Sequence, residues 1–284
     1  MFFTKKKCNV TPKVVGNKYN ILNVISILIL SIFVLVIISL IFSDFFYLFS
    51  KKISFSKFID ILLSLDIKGA IKLSVITSLI SLFLVVIFSI PIGYVLSRFR
   101  FFGHNLINTI VDVPLILPPV VIGISLLAFF GSPLGQDVKK TLVNCNIQLV
   151  SGFGIVLCQF LVSVPYCIRS TKSSFDAVDR KLEHVALSLG CSQFQAFWKI
   201  SLPLARNGLV AGSVMAWARA IGVFGPLMVF VGTSPRVQVM PTTMWLELSI
   251  GNIEASLSVA LLMVFISGIT LSIVHYLAPG RNWS

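Results

Sequence analysis

The sequence predicts an all-α integral membrane protein, six transmembrane helices with a helix-turn-helix presented outside the bilayer. Three observations carry that prediction. Hydrophobic residues fill 56% of the 284 positions and charged residues 12%, about half the usual quarter of a soluble protein, and no soluble core of this size could bury so much apolar surface. Stretches of about eighteen or more nearly uncharged residues recur, each long enough for a hydrocarbon slab of about 30 Å. One polar interval, Glu183 to Pro203, is too short and too charged to cross.

Residues Met1 to Asn20 read as a short basic tail, and span one follows from Ile21 to Phe42. Lys5, Lys6 and Lys7 ahead of an apolar run resemble a signal peptide, but the run is too long for one and no small-residue cleavage site follows. From Ser43 to Gly69, Lys51, Lys52 and Lys57 mix with Phe45, Phe46, Tyr47, Phe55 and Phe58. That mixture fits a helix lying at the interface or a plain loop with belt aromatics.

Span two covers Ala70 to Leu96 and holds Pro91 near its end. A tight basic turn, Arg98 to His104, leads to span three, ending near Phe130. Asp112, Pro114, Pro118 and Pro119 interrupt that span, and paired prolines remove two amide donors, so regular helix is not expected there. Irregular backbone at membrane depth survives where it is buried in protein or faces a wet cavity, while a simple proline kink is the alternative.

A polar segment, Gly131 to Gln148, precedes span four, Leu149 to Ile168, and the interval Arg169 to Asn207 follows. Within it Leu182, Val185, Ala186 and Leu189 fall at i, i+3, i+4 and i+7, the stripe of an amphipathic helix. Gly190 stops that helix. Ser192 with Gln195 reads as a capping box for a second short helix, in which Phe194, Phe197 and Trp198 share a face before Leu202 and Pro203. Exposed apolar residues on such a unit call for a partner's groove. Span five covers Gly208 to Val231, a second polar segment Gly232 to Asn252, and span six Ile253 to Leu277.

Six spans put both termini on one side. Basic residues in the N-terminal tail (Lys5, Lys6, Lys7, Lys13, Lys18), the turn (Arg98, Arg100), the interval (Arg169, Lys172, Arg180, Lys181, Lys199, Arg206) and the C-terminal tail (Arg281) outweigh the opposite set. That set is Lys51, Lys52, Lys57, Lys68, Lys139, Lys140 and Arg236. The positive-inside rule places the termini and the helix-turn-helix in the cytosol. The net charge of +13 is scattered through these connections, without the aromatic-lined basic stripe of a nucleic-acid binder.

Little in the chain suggests chemistry of its own. The five cysteines (Cys8, Cys145, Cys158, Cys167, Cys191) form no C-x-x-C pair, and neither a disulfide framework nor a zinc site is expected. The histidines, His104, His184 and His275, are dispersed, and no H-E-x-x-H or G-x-S-x-G occurs. Gly135 to Thr141 ends in Lys140-Thr141 but lacks the second glycine of a phosphate loop, so any ATP hydrolysis falls to a partner. Arg219 is the charge within the spans that draws notice, since a central arginine costs about 2.5 to 3.5 kcal/mol on insertion scales. It faces either an anion's path or a carbonyl or carboxylate between spans, and Gly212, Ser213, Gly222 and Gly225 around it permit close helix approach.

The interval resembles the coupling motif of ABC importer permeases, on Glu183, Val185, Ala186, Gly190, Ile200, Leu202 and Pro203. His184 stands where that family places glutamate and Val185 where it places the first alanine, leaving Asp179 and Glu183 as the carboxylates for a salt bridge to the ATPase. Asp112-Val-Pro-Leu-Ile-Leu-Pro118-Pro119-Val-Val-Ile-Gly123 is similar to the span-three signature of the molybdate, tungstate and sulfate branch, the doubled proline being closer to molybdate members. Ala218-Arg219-Ala-Ile-Gly222-Val223-Phe224-Gly225 resembles the same branch's next motif, with Val223 in place of glutamate.

This resemblance, over about residues 68 to 277, implies the type I ABC importer permease fold, with a transmembrane domain over residues 70–277 and a coupling motif at 179–203. Residues 1–20 and 278–284 would be cytosolic tails, and 21–69 the first span with an external interfacial segment. It implies a homodimer in membrane lipid, gripped by two ABC ATPase subunits that carry the ATP and magnesium, with no cofactor on this chain. An external oxyanion-binding protein would deliver molybdate or tungstate, with sulfate or thiosulfate as the alternative cargo. Pro118, Pro119, Arg219, Phe224 and Gly225 become candidates for the path. The setting implied is a bacterial cytoplasmic membrane, with a plastid inner envelope as the alternative. The competing reading from another class is a non-transport membrane scaffold or enzyme using the same helix-turn-helix to bind an unrelated partner.

Overall fold

Every regular element is helical in the computed structural model, which describes residues 21–50, 55–144, 149, 151–232 and 237–277. The basic N-terminal tail with Cys8, the residues Lys51, Lys52, Cys145 and Arg236, and the C-terminal tail with Arg281 lie outside the described residues. Contacts divide the chain into residues 1–52 and 53–284. The first unit holds α1 (Ile21–Ser50), apolar around its whole circumference. Such a helix has no inward stripe and suits a lipid environment. The expected break after Phe42 does not occur: with neither glycine nor proline between 21 and 50, one helix absorbs Ser43 to Ser50.

In the second unit α2 (Phe55–Leu63) is a short amphipathic helix, so the plain-loop reading of this segment does not hold. Its Ile61 and Leu62 pack with Ile67 of α3 (Leu65–Arg98), Met240 of α12 (Met240–Ser249), and Ala255 and Val259 of α13 (Ile253–Leu277). α3 pairs along its length with α7 (Gly152–Asp176), which runs past the predicted end at Ile168. A Cβ built on Gly93 would lie 2.6 Å from Thr171 Cγ2, so the two backbones meet at glycine distance. α10 (Leu202–Ile221) closes on α7 the same way, with Ser170 Oγ donating to the Gly208 carbonyl at 3.1 Å and Gly212 touching Ser170. Lipid tails are as apolar as leucine, so small residues and interhelical hydrogen bonds must supply the attraction. Trp217 Nε1 donates to Ser78 Oγ at 3.0 Å and the Met240 amide to Ser74 Oγ at 2.7 Å, tying α10 and α12 to α3.

Two predicted spans are broken. Span three divides into α4 (His104–Ile116) and α5 (Pro119–Gly131), bent by 110°. Leu117 precedes a proline and is held extended, Pro118 has no amide to donate, and Pro119 takes the first position of α5, where proline is tolerated. This ends one helix and starts another, more than the kink alternative allows. Span five ends as α10 at Ile221; Gly222 to Phe224 interrupt it before α11 (Gly225–Phe230). α5 and α11 then cross tightly: a Cβ on Gly123 would lie 2.8 Å from Pro226 Cα, and one on Gly225 2.6 Å from Val120 Cγ2.

The segments expected as polar connections also fold, as α6 (Pro133–Asn144) and α12. Span six is α13, at the predicted bounds. Among the described residues, α1, α3, α7 and α13 are long and apolar enough to cross a membrane, with a fifth if α4 and α5 count as one. α10 reaches about 30 Å but carries Arg206 and Arg219, so apolarity alone does not return the sixth.

Candidate functional site

The polar interval forms α8 (Arg180–Ser188), a turn, α9 (Gln193–Ala196) and a π-turn (Phe197–Ser201) that runs directly into α10. Asp179 opens α8 as its N-cap, Oδ1 accepting from the Lys181 amide at 2.9 Å. Gly190 ends it at φ +90°, with the Cys191 amide bonded to the Ala186 carbonyl and the Gly190 amide to the Leu187 carbonyl. Those two bonds are a Schellman cap, which needs a left-handed residue that glycine supplies without strain. The predicted capping box is present: Gln195 N donates to Ser192 Oγ at 3.2 Å, and Ser192 N to Gln195 Oε1 at 3.0 Å.

The second helix does not stop before Leu202 and Pro203 as expected. Pro203 cannot donate to the Lys199 carbonyl four residues back, so the chain widens by one residue, Leu202 N bonding to the Phe197 carbonyl. Helix therefore continues without a break from Gln193 to Ile221. The predicted aromatic face is split. Phe194 and Trp198 are 71% and 52% exposed and stack edge to face, while Phe197 turns inward onto Tyr94 and Phe175 at ring separations of 4.8 and 6.1 Å.

Of the α8 stripe, Ala186 is buried, whereas Leu182, Val185 and Leu189 are exposed, as is His184. Ile200 and Leu202 are half-buried, and Pro203 faces out. Glu183 departs from its expected role as an outward carboxylate. Its Oε1 lies 2.7 Å from Arg98 Nε and accepts from Ser201 Oγ at 2.6 Å, and Oε2 accepts from Tyr94 OH at 3.3 Å. Asp179, by contrast, stays at the surface.

The second set of candidates gathers where the helices break. Arg219 occupies the last turn of α10, its guanidinium 5.9 Å from the centre of the Tyr166 ring. Its Nε is buried without a hydrogen-bond partner, and among the described residues it joins no ion pair. The carbonyl or carboxylate partner of the packing reading is therefore not found there. Phe224 sits in the α10–α11 break and stacks on Trp245 of α12 at 5.7 Å, and Gly225 follows where Val120 leaves no room for a side chain. Pro118 is exposed at the α4–α5 bend and Pro119 half-buried. Val223 is 3% exposed among Ile122, Leu126, Ile155 and Leu227, an apolar setting that accepts valine and would penalise an unpaired carboxylate. Asp112, the odd charge of span three, pairs with Arg169 of α7 at 3.6 Å.

Sequence reasoning missed the residues that hold the coupling unit in place. Arg98 was counted only for topology, and Tyr94, Ser97, Asp176 and Ser201 not at all. Tyr94 and Arg98 stand at i and i+4 in the last turn of α3, but no local pattern pairs them with a residue more than eighty positions on.

Residues 89–282 match the family described as the binding-protein-dependent transport system inner membrane component. A probable molybdenum ABC transporter permease protein of Haloferax volcanii is 37% identical over 74% of this chain and 74% of its own. A molybdate/tungstate transport system permease protein of Thermococcus kodakarensis is 33% identical over 75% and 79%. A molybdenum transport system permease protein of Haemophilus influenzae is 33% identical over 74% and 93%. Among solved structures, a bacterial alginate ABC transporter in complex with an alginate-bound periplasmic protein superposes with TM-score 0.66 at 19% identity, over 88% of this chain and 92% of that one. The inward-facing MetNI methionine ABC transporter gives TM-score 0.58 at 15% identity, over 73% and 94%. At these identities the structures speak for the fold alone.

Proposed function

The chain belongs to the inner membrane components of binding-protein-dependent transport systems, and from that premise we propose that it is the permease subunit of an ATP-driven importer of molybdate or tungstate. It is a transport subunit and not an enzyme. The substrate class rests on what the relatives are named for. The coupling role rests on one observation, the two-sidedness of residues 179–203: Leu182, Val185, Leu189, Phe194 and Trp198 face out, while Ala186, Glu183 and Phe197 are locked inward.

In this reading two permease copies line one pathway, and two cytosolic ATPase subunits, which hold the ATP and magnesium, grip the outward residues. Closure of the ATPases moves the coupling helices as levers and switches the pathway between inward and outward openings. An external binding protein delivers the oxyanion to the α6 and α12 segments. Arg219 places positive potential near the α10–α11 break, which favours a tetrahedral dianion. Both termini lie in the cytosol, on the basic-residue count.

Co-purification tests the coupling role. Wild-type permease should retain an ABC ATPase through detergent extraction, and Gly190→Pro, which removes the left-handed cap of α8, should lose it. An ATPase held equally by both, or by neither, contradicts the assignment.

A further inference from the structure

Glu183 belongs to the first turn of α8, the helix that meets the ATPase in the reading above, yet its carboxylate points back into the protein. The Arg98 and Glu183 side chains are 6% and 13% exposed. Ser201 and Tyr94 complete the carboxylate's hydrogen bonds, so the four groups join the end of α3, the start of α8 and the end of the π-turn. Arg98 Nη2 also donates to the Val178 carbonyl at 3.0 Å, gripping the link between α7 and α8. From the other side Arg180, the first residue of α8, donates to the Ser97 carbonyl, and Ser97 Oγ donates to Asp176 Oδ1 at 2.6 Å.

α8 is joined covalently to α7 through Ala177 to Asp179 and to α10 through α9 and the π-turn. Nothing covalent joins it directly to α3. Without the ion pair, the link from α8 to α3 falls back on the Arg180 hydrogen bond to the Ser97 carbonyl, and a push on α8 could pivot the helix about its two covalent links and carry α3 less firmly. With it, the push reaches the last turn of α3 and passes on to α7, against which Gly93 packs with no space for a Cβ. A pair this sequestered resists opening, because separating it strands a charge away from water.

We infer that the Arg98–Glu183 pair, closed by Ser201 and Tyr94, is the strut that carries motion of the coupling helices into α3, which makes Arg98 and Glu183 positioning residues of the transport cycle. The inference rests on the permease reading and adds to it that Glu183 serves the permease's own helices and not the ATPase.

The test reconstitutes the permease with its ATPase and binding protein in vesicles and measures ATP hydrolysis and molybdate uptake together. The informative variant is the double Arg98→Gln/Glu183→Gln, which leaves no unpaired buried charge to prevent folding. Glu183→Gln alone and Tyr94→Phe accompany it. The double variant should keep its ATPase on purification and hydrolyse ATP normally, while uptake per ATP falls about ten-fold or more, the order of a typical coupling free energy between sites. Unchanged uptake per ATP overturns the strut, and so does loss of the ATPase from the double variant, since the network would then only shape the docking face. A wild-type permease that neither holds an ATPase nor transports overturns the permease reading itself.

Discussion

Arg219 is a charge held where charge is expensive, against an aromatic ring and with its Nε unsatisfied. A cation retained at a cost of about 2.5 to 3.5 kcal/mol needs a use, and attraction of an oxyanion supplies one. Arg219→Ala should therefore lower uptake about ten-fold or more while insertion and ATPase binding stay normal, the loss expected for one well-placed electrostatic contact. Uptake by that variant equal to wild type would leave Arg219 a packing residue. Gly123 makes the opposite kind of demand, for absence of a side chain. A methyl there meets the backbone of Pro226, which cannot swing aside as a flexible side chain would. Gly123→Ala should cost about 1 to 3 kcal/mol through overpacking, read as a lower midpoint of thermal unfolding in detergent.

Among the elements, α9 and the π-turn present two aromatics to a partner and keep a third for the core. Phe194 and Trp198, at i and i+4, share the outer side, while Phe197, about 100° round the helix from Trp198, packs inward on Tyr94. The consequence separates two kinds of damage. Phe194→Ala and Trp198→Ala should release the ATPase from permease that unfolds at the normal temperature. Phe197→Ala should cost about 3 kcal/mol of stability, the low end for emptying an aromatic site. Thermal unfolding together with ATPase co-purification distinguishes them, and a Phe197→Ala permease as stable as wild type would contradict the inward placement. The caps and turns of this unit were legible in the sequence because each is local: Ser192 with Gln195 and Gly190 act within a few residues of themselves. The π-turn was not, since the proline that causes it also reads as an ordinary helix start.

At the scale of the molecule, span six was readable from apolar length alone, and the interruption at Pro118 and Pro119 from the missing amides. The size of the bend was not, nor the second break at Gly222, because both follow from how α5 and α11 cross at Gly123 and Gly225. The inward turn of Glu183 was equally hidden, since Arg98 meets it only once α3 and α8 are folded together. Two broken helices in contact beside a half-buried arginine, and a coupling unit fixed inward and bare outward, form one account: a permease whose cytosolic helices transmit an ATPase's closure to an anion path. ATP-dependent uptake of labelled molybdate into vesicles holding the permease, its ATPase and its binding protein tests that account most directly. Uptake that requires ATP, and that unlabelled tungstate suppresses more strongly than sulfate, is the predicted result. Uptake without ATP, none at all, or suppression by sulfate as strong as by tungstate would contradict it.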